Sequence, residues 1–338
     1  MELKSGQPQK KIVSLLGRDE APAMVQTRWY FSELCNDFID VDFFDMAEDS
    51  EVHCYGDVLS WCMSVLENSP TARLMLREAC DKDWKITIED LNGGEYCVDV
   101  EQKLLILDNN SLVPSALGRS GYFRNMTILT LTKALRDIWQ EKRHGGFDEH
   151  YSPEYVLLME RVRAADLDVL SVMVAWELRS EEFPEIWRHI IGSDIGDMAM
   201  TFSGYLERDP SSAYSGMALR AAFKQWFRDE DRLHSCDHDT LEYLDDVLAS
   251  CVDAQSAFGK KRPGKLNVEV LSCLPDKTAY LQGLGSEILS DPSYSAVNDD
   301  INQTHLFHIM YDLEAIIVEN VPFRDADLAQ KIFPVERD

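Results

Sequence analysis

The sequence predicts a helix-rich α+β fold with a small antiparallel sheet, on three observations. Apolar residues recur at three- and four-residue spacing over most of the 338 residues, the period of helices with one buried face. That period gives way to alternation in one stretch, WKITIEDLNGGEYCVDVEQKLLILDNN, which begins at Trp84. A hydrophobic content of 45%, with 10% aromatics, supplies a sizeable core for a chain of this length.

The elements follow in order. The opening MELKSGQPQKKIVSLLGRDEAPA reads as a flexible tail over residues 1–20, because it has lysines but no apolar stretch of signal-peptide length. RWYFSELCNDFIDVDFF places Phe31, Leu34, Phe38 and Val41 on one helical face with acids on the other. YGDVLSWCMSVLENS continues helical, and Ser69-Pro70-Thr71 gives a stop and a new start, with the second helix running to about Lys82. Trp84, Ile86 and Ile88 then alternate, Asn92-Gly93-Gly94 marks a hairpin turn, and Tyr96, Val98 and the apolar run LLILD complete two or three antiparallel strands. The next helix, TILTLTKALRDIWQEKRHGG, buries Ile128, Leu131, Leu135 and Ile138 and stops at Gly145-Gly146.

Beyond it the chain is largely helical. SPEYVLLMERVRAADLDVLSVMVAWELRSE forms a long helix, PEIWRHIIG a shorter one, and GMALRAAFKQWFRD turns Leu219, Ala222, Phe223 and Trp226 inward. DTLEYLDDVLASCV opens with Asp239 and Glu242 in a capping-box arrangement. FGKKRPGKLN reads as an exposed basic connection, LNVEVLSCLP as a strand, and NQTHLFHIMYDLEAII as a helix.

Composition limits the function. A formal net charge of -27 disfavours nucleic-acid phosphate and anionic lipid as partners, because like charges repel. No apolar run approaches the roughly 18–20 residues that span a bilayer, so neither a membrane nor nucleic acid is expected as partner, and the expected location is cytoplasmic. Eight cysteines without C-x-x-C spacing read as reduced thiols. No G-x-S-x-G elbow surrounds Ser115 or Ser120, and no Walker A loop occurs.

One motif bears on chemistry. On the helix after the strands, Lys133, Ala134 and Asp137 stand at the three places where an H-E-x-x-H zinc helix carries His, Glu and His. Lysine offers zinc an ammonium with no lone pair, and alanine removes the general base. The plain reading of Lys133 and Asp137 is a surface ion pair four residues apart, worth roughly 0.2–0.5 kcal/mol. LHSCDHD holds the densest run of soft ligands, His234, Cys236 and His238; it is a lesser metal alternative to a polar loop leading into the next helix. His305 and His308 read as hydrogen-bonded helix histidines, and His144 and His150 as loop residues.

The segment LILDNNSLVPSALGRSGYFRNMTILTLTKALRDIWQ resembles the bacterial DUF6782 family, described as putative metallopeptidases, whose helix reads H-E-L-R-H-A-W-Q after a strand ending in Leu-Asp. KALRDIWQ keeps Leu135, Arg136, Trp139 and Gln140 of that pattern. VAWELR, EIWRHI, ALRAAFKQWF, CLPDKTAYL and HLFHIMYDLE are similar too, so the likeness covers most of residues 55–320. The resemblance implies a zincin-like core within a domain over 21–180, with an α-helical C-terminal region over 181–338 packed on it. It also implies a third ligand in an acidic element of the following helix. Here that element is AADLD, with Ala164 at the ligand's place and Asp166 nearby.

These readings lead to the expectation of a catalytically inactive metallopeptidase-like protein that needs no cofactor. Its old groove would bind a peptide or protein partner along a strand edge such as the one ending at Leu107-Asp108. The alternatives are a hydrolase with a relocated metal or acid/base site, using Asp137, Asp166 and His144 or His150, and an acidic structural or assembly protein. Zinc is expected only if the ligand reading fails.

Overall fold

The computed structural model describes residues 27–331, apart from 38, 41, 47–51, 53, 145–149, 214, 252–256, 315, 319–320 and 324–330. The expected tail over 1–20 and the Gly145-Gly146 stop lie outside the described residues. The chain enters as β1 (Trp29–Tyr30) and passes directly into α1 (Phe31–Asn36), with α2 (Phe43–Met46) after it. The single helix expected from Arg28 to Phe44 is therefore two short ones. Asp37 leaves the helical region at φ -86° and ψ 73°, and the Asp40 carboxylate accepts from the Asp42 amide at 3.2 Å. Aspartates of this kind offer the backbone an alternative to helical bonding.

Next come α3 (Tyr55–Leu66), buried along nearly its whole length, and α4 (Pro70–Asp81). The start of α4 is the expected one: Ser69 Oγ accepts from the Ala72 amide at 3.0 Å, and Pro70 takes the first turn, where no backbone donor is needed. Strands β2 (Lys85–Glu89), β3 (Tyr96–Asp99) and β4 (Leu104–Asp108) follow.

The sheet is mixed, in the order β1-β2-β4-β3, which corrects the antiparallel sheet expected from the sequence. Strands β2 and β4 are parallel, whereas β1 joins β2 and β3 joins β4 in antiparallel fashion. Asn92 and Gly93 do turn the chain with positive φ (53° and 95°), but they do not join a paired hairpin. The turn carries the chain past the central position to the sheet's far edge. The run Leu104-Leu105-Ile106-Leu107, largely buried, fills the gap because a strand flanked on both sides needs apolar residues on both faces. Asp108 fastens the crossing by accepting from the Leu91 and Asn110 amides at 2.9 and 2.8 Å.

The remaining helices are α5 (Pro114–Arg119), α6 (Gly121–His144), α7 (Pro153–Ser180), α8 (Pro184–Ile191), α9 (Gly196–Arg208), α10 (Met217–Trp226), α11 (Glu230–Ser250), α12 (Lys265–Leu271), α13 (Gly285–Ser290), α14 (Pro292–Ser295) and α15 (Asp300–Glu314). A small hairpin, β5 (Ile316–Val318) and β6 (Val321–Phe323), closes the described chain. Two expectations are corrected here. LNVEVL is the helix α12, capped where the Gly264 amide meets Asn267 Oδ1 at 2.9 Å, and only Val268 and Leu271, three apart, face inward. The cap of α11 is Asp229, whose side chain accepts from the Arg232 amide at 3.0 Å, so Asp239 and Glu242 lie within the helix.

Among the described residues the main apolar core extends in sequence from Phe31 to Tyr294, and a smaller cluster joins Val156 and Leu157 to Leu241, Leu244 and Ile309. The 24-residue α6 and the 28-residue α7 run through it. Ile128, Leu131, Leu135 and Ile138 are all buried, as the period of α6 predicts. Ser69 Oγ donates to Glu177 of α7, so the α4 cap also ties α4 to the central pair. Among the described residues, no helix is long and apolar enough to cross a membrane.

Candidate functional site

The positions singled out on α6 face α7 and the edge strand β3. Ion pairs link Lys133 to Asp168, Arg136 to Asp166, and Asp137 to Arg163. Residue numbers rise along α6 as they fall along α7, so the two helices run antiparallel and the pairs form a ladder between them. This corrects the surface ion pair between Lys133 and Asp137: Asp137 is 2% exposed, and each side chain pairs across the helix interface instead of along one helix.

Lys133 is the outer rung. Its ammonium lies 3.0 Å from Asp168 Oδ1 and 3.8 Å from Glu95 Oε2, one residue before β3. Burial works against the charge, but Asp168, Glu95 and Asp194 together hold the ammonium protonated well above the ordinary lysine range. Trp226 Nε1 donates to the other Asp168 oxygen at 2.8 Å, fixing that carboxylate from α10. Glu95 is pushed up by burial, with Lys133 opposing and Asp168 and Asp194 adding to the rise. Its Oε2 is buried and has no hydrogen-bond partner among the described residues.

The inner rungs are more enclosed. Arg136 Nε donates to Asp166 Oδ2 at 2.7 Å, and the remaining guanidinium nitrogens donate to the Cys273 and Leu271 carbonyls at 3.0 and 2.8 Å. Asp166 also accepts from Gln140 Nε2 and from the Tyr280 hydroxyl, each at 2.5 Å. Arg163 donates to Asp137 Oδ1 through Nε at 3.1 Å and Nη2 at 2.7 Å, and Nη2 also reaches Glu141 at 2.7 Å. The Tyr96 hydroxyl is buried without a hydrogen-bond partner among the described residues, and burial, followed by the Asp137 charge, pushes it well above the usual phenol range.

Zinc requires lone pairs converging on one point with a position left open for water. Lys133 presents a protonated amine, Ala134 is fully buried and carries no donor, and Asp137 Oδ1 is engaged by Arg163. Ala164 is 8% exposed and likewise offers nothing, and Asp166 is held by three donors. The residues at these positions do not fit a zinc ion. Among the described residues, no group of three or more His, Cys, Asp or Glu side chains is placed to hold a metal.

The other candidates separate in space. His234, Cys236 and His238 lie inside α11 and not on a loop, which corrects the polar-loop reading. On a helix, 234 and 238 share a side and 236 points nearly opposite. Cys236 is 1% exposed, whereas His238 reaches out to Glu242 at 3.2 Å. His305 Nε2 sits 2.5 Å from Asp245, as a hydrogen-bonded helix histidine should. For the relocated site, Asp137 and Asp166 belong to different rungs, His150 is exposed, and the His144 side chain lies outside the described residues.

Sequence reading missed the partners Arg163, Asp168, Glu95 and Tyr280. The legible signal was charge in the wrong place: Arg136, Asp137, Arg161, Arg163 and Asp166 interrupt two helices that are otherwise apolar on several sides. Charged residues are almost never fully buried unless paired, so such interruptions call for partners.

Fold and site together define a helix-rich α+β protein built around a buried ladder of ion pairs between two long central helices. The chain belongs to the DUF6782 family, described as "Putative metallopeptidase family", whose model matches residues 57–281. That stretch contains the whole ladder, from Glu95 to Tyr280. No curated protein and no solved structure matches the chain.

Proposed function

We propose that this chain is a catalytically inactive, metallopeptidase-like protein with a zincin-like core, and that it binds an extended peptide or a peptide-like segment of a protein partner. The carrying observation is the engagement of Lys133 by Asp168 and of Asp137 by Arg163, at the places where the resemblance sets the two histidines of a zinc helix. Full burial of Ala134, at the general base's place, supports the same reading. An ion pair that neutralises a buried charge is costly to break, so the site does not readily rearrange to admit a dication.

The binding edge differs from the one the sequence suggested. Strand β4 lies between β2 and β3, so the edge ending at Leu107-Asp108 is already paired on both sides. The edge on this side of the sheet is β3. The Asp108 amide donates to the Glu95 carbonyl at 3.0 Å, which places Glu95 and Cys97 in the hydrogen-bonded pairs with β4. By the alternation of an antiparallel ladder, the amides and carbonyls of Tyr96 and Val98 then point away from β4; Tyr96 is buried, so the half-buried Val98 is the position that would meet an added strand.

Two measurements test the reading. Metal content of the purified full chain by mass spectrometry is expected to fall far below one ion per chain; stoichiometric zinc would overturn the inactive assignment. Binding to an array of extended peptides is expected, with loss on Val98→Pro, which removes one outward amide. A bound peptide indifferent to that change would overturn the β3 edge.

A further inference from the structure

We propose that Cys35 and Cys80 are a modification site: a dithiol that closes into a reversible disulfide and fastens the N-terminal β1–α1 segment to α4. Cys35 lies in the last turn of α1 and Cys80 in the last turn of α4, 45 residues apart in sequence, with their sulfurs hydrogen-bonded at 3.6 Å. A disulfide needs about 2.05 Å between sulfurs. The remaining approach, about 1.5 Å, lies within the reach of side-chain rotation about χ1, with the helices already in place.

Both thiols are half-buried, so a small oxidant reaches them while bulk solvent is largely kept away. Hydrogen bonding between them pushes Cys35 up and draws Cys80 down, with burial raising both. Cys80 is accordingly the nucleophile, since the thiolate is the reacting form. The co-reactant is a low-molecular-weight disulfide, RSSR. The Cys80 thiolate attacks one of its sulfurs, breaking the S–S bond and releasing RS⁻. Cys35, on losing its proton, attacks the Cys80 sulfur of the mixed disulfide and releases the second RS⁻. The two protons end on the two RS⁻ ions, so two protein thiols and RSSR become one protein disulfide and two RSH.

The bond would add a covalent tie to a segment held by packing and backbone bonds. Strand β1 pairs with β2 over two residues, the Phe31 amide donates to the Trp84 carbonyl at 3.1 Å, and α1 buries Phe31 and Leu34. Oxidation would close this edge of the sheet covalently, through a route independent of the function proposed above.

The test uses the full chain equilibrated with graded ratios of oxidised and reduced glutathione, acid-quenched and alkylated with N-ethylmaleimide. Cleavage after acidic residues separates Cys35 from Cys54, because Glu33 and Asp37 flank Cys35 while Glu78 and Asp81 flank Cys80. The expected product is one linked peptide pair carrying Cys35 and Cys80, lighter than the two free peptides by two hydrogens. It should vanish in Cys35→Ser and Cys80→Ser, persist in Cys54→Ser, and accompany an upward shift in melting temperature. If the serine variants fail to fold, the wild-type peptide map decides alone. Finding both cysteines alkylated, each capped separately by glutathione, or joined to other cysteines across the whole series would overturn the proposal.

Discussion

Arg136 and Asp166 meet at 2.7 Å with both side chains wholly shielded from solvent, and every guanidinium nitrogen of Arg136 has an acceptor. The pair joins α6 to α7, and through the Leu271 and Cys273 carbonyls and Tyr280 it extends to the chain beyond α11. A charge desolvated this completely is tolerable only while its partners remain.

Removing one partner should therefore be worse than removing both. Asp166→Ala is expected to cost about 3–5 kcal/mol, the usual penalty for orphaning a buried charge. The double change Arg136→Met with Asp166→Leu should recover part of that loss, because it removes both charges while still leaving Gln140 and the Tyr280 hydroxyl without their acceptor. Urea denaturation of the three proteins checks this; equal stability of single and double variants would remove the ladder from the account.

Asp137→Ala should be milder. Arg163 keeps Glu141 at 2.7 Å, so the guanidinium is left short of one acceptor but not unpaired. A loss of about 1–3 kcal/mol is expected from the unsatisfied donors. A cost as large as that of Asp166→Ala would show that Glu141 does not compensate.

Lys133→Met should make stability depend on pH. Burial already raises Glu95, and Lys133 is the charge that opposes the rise. Without it the folded-state value moves further above the unfolded one, which is about 4.3 for glutamate. A raised folded value means stability is fully present below the unfolded pKa and lost as pH rises through the folded pKa. The variant should therefore match the parent most closely in acid and fall behind as pH climbs toward neutrality. Parallel melting-temperature profiles for the two proteins would contradict this.

Gly216→Ala should weaken the same network from a distance. Gly216 has φ +73°, and an added Cβ would come 2.8 Å from Tyr280 Cβ. Strain and crowding together should cost about 1–3 kcal/mol. If Tyr280 is displaced from Asp166, near-ultraviolet circular dichroism should change along with stability.

The long helices were legible because their apolar period repeats over many turns, and Ser69-Pro70 marked a start by local chemistry alone. Strand order was not. Asn92-Gly93 says where the chain turns, but pairing is decided by which strand can afford burial on both faces, and β4 took that place. Likewise LNVEVL alternates like a strand and is a helix, because a cap at Gly264 and two inward residues suffice. At the site, Lys133, Ala134 and Asp137 were found by spacing, but their partners were not. Asp168, Arg163 and Glu95 belong to other elements, and only the docking of α7 and β3 onto α6 brings them near.

The order of charges in the ladder also bears on how the chain reaches its fold. Slide α7 along α6 by about one turn, three residues, and Arg136 faces Arg163 while Asp137 faces Glu160. Both helices are apolar enough to stick in that misaligned arrangement, and hydrophobic contact alone would do little to reject it. Like charges meeting in a dry interface would reject it. The order of charges thus selects one register of α7 against α6, a choice that an all-leucine interface would leave open.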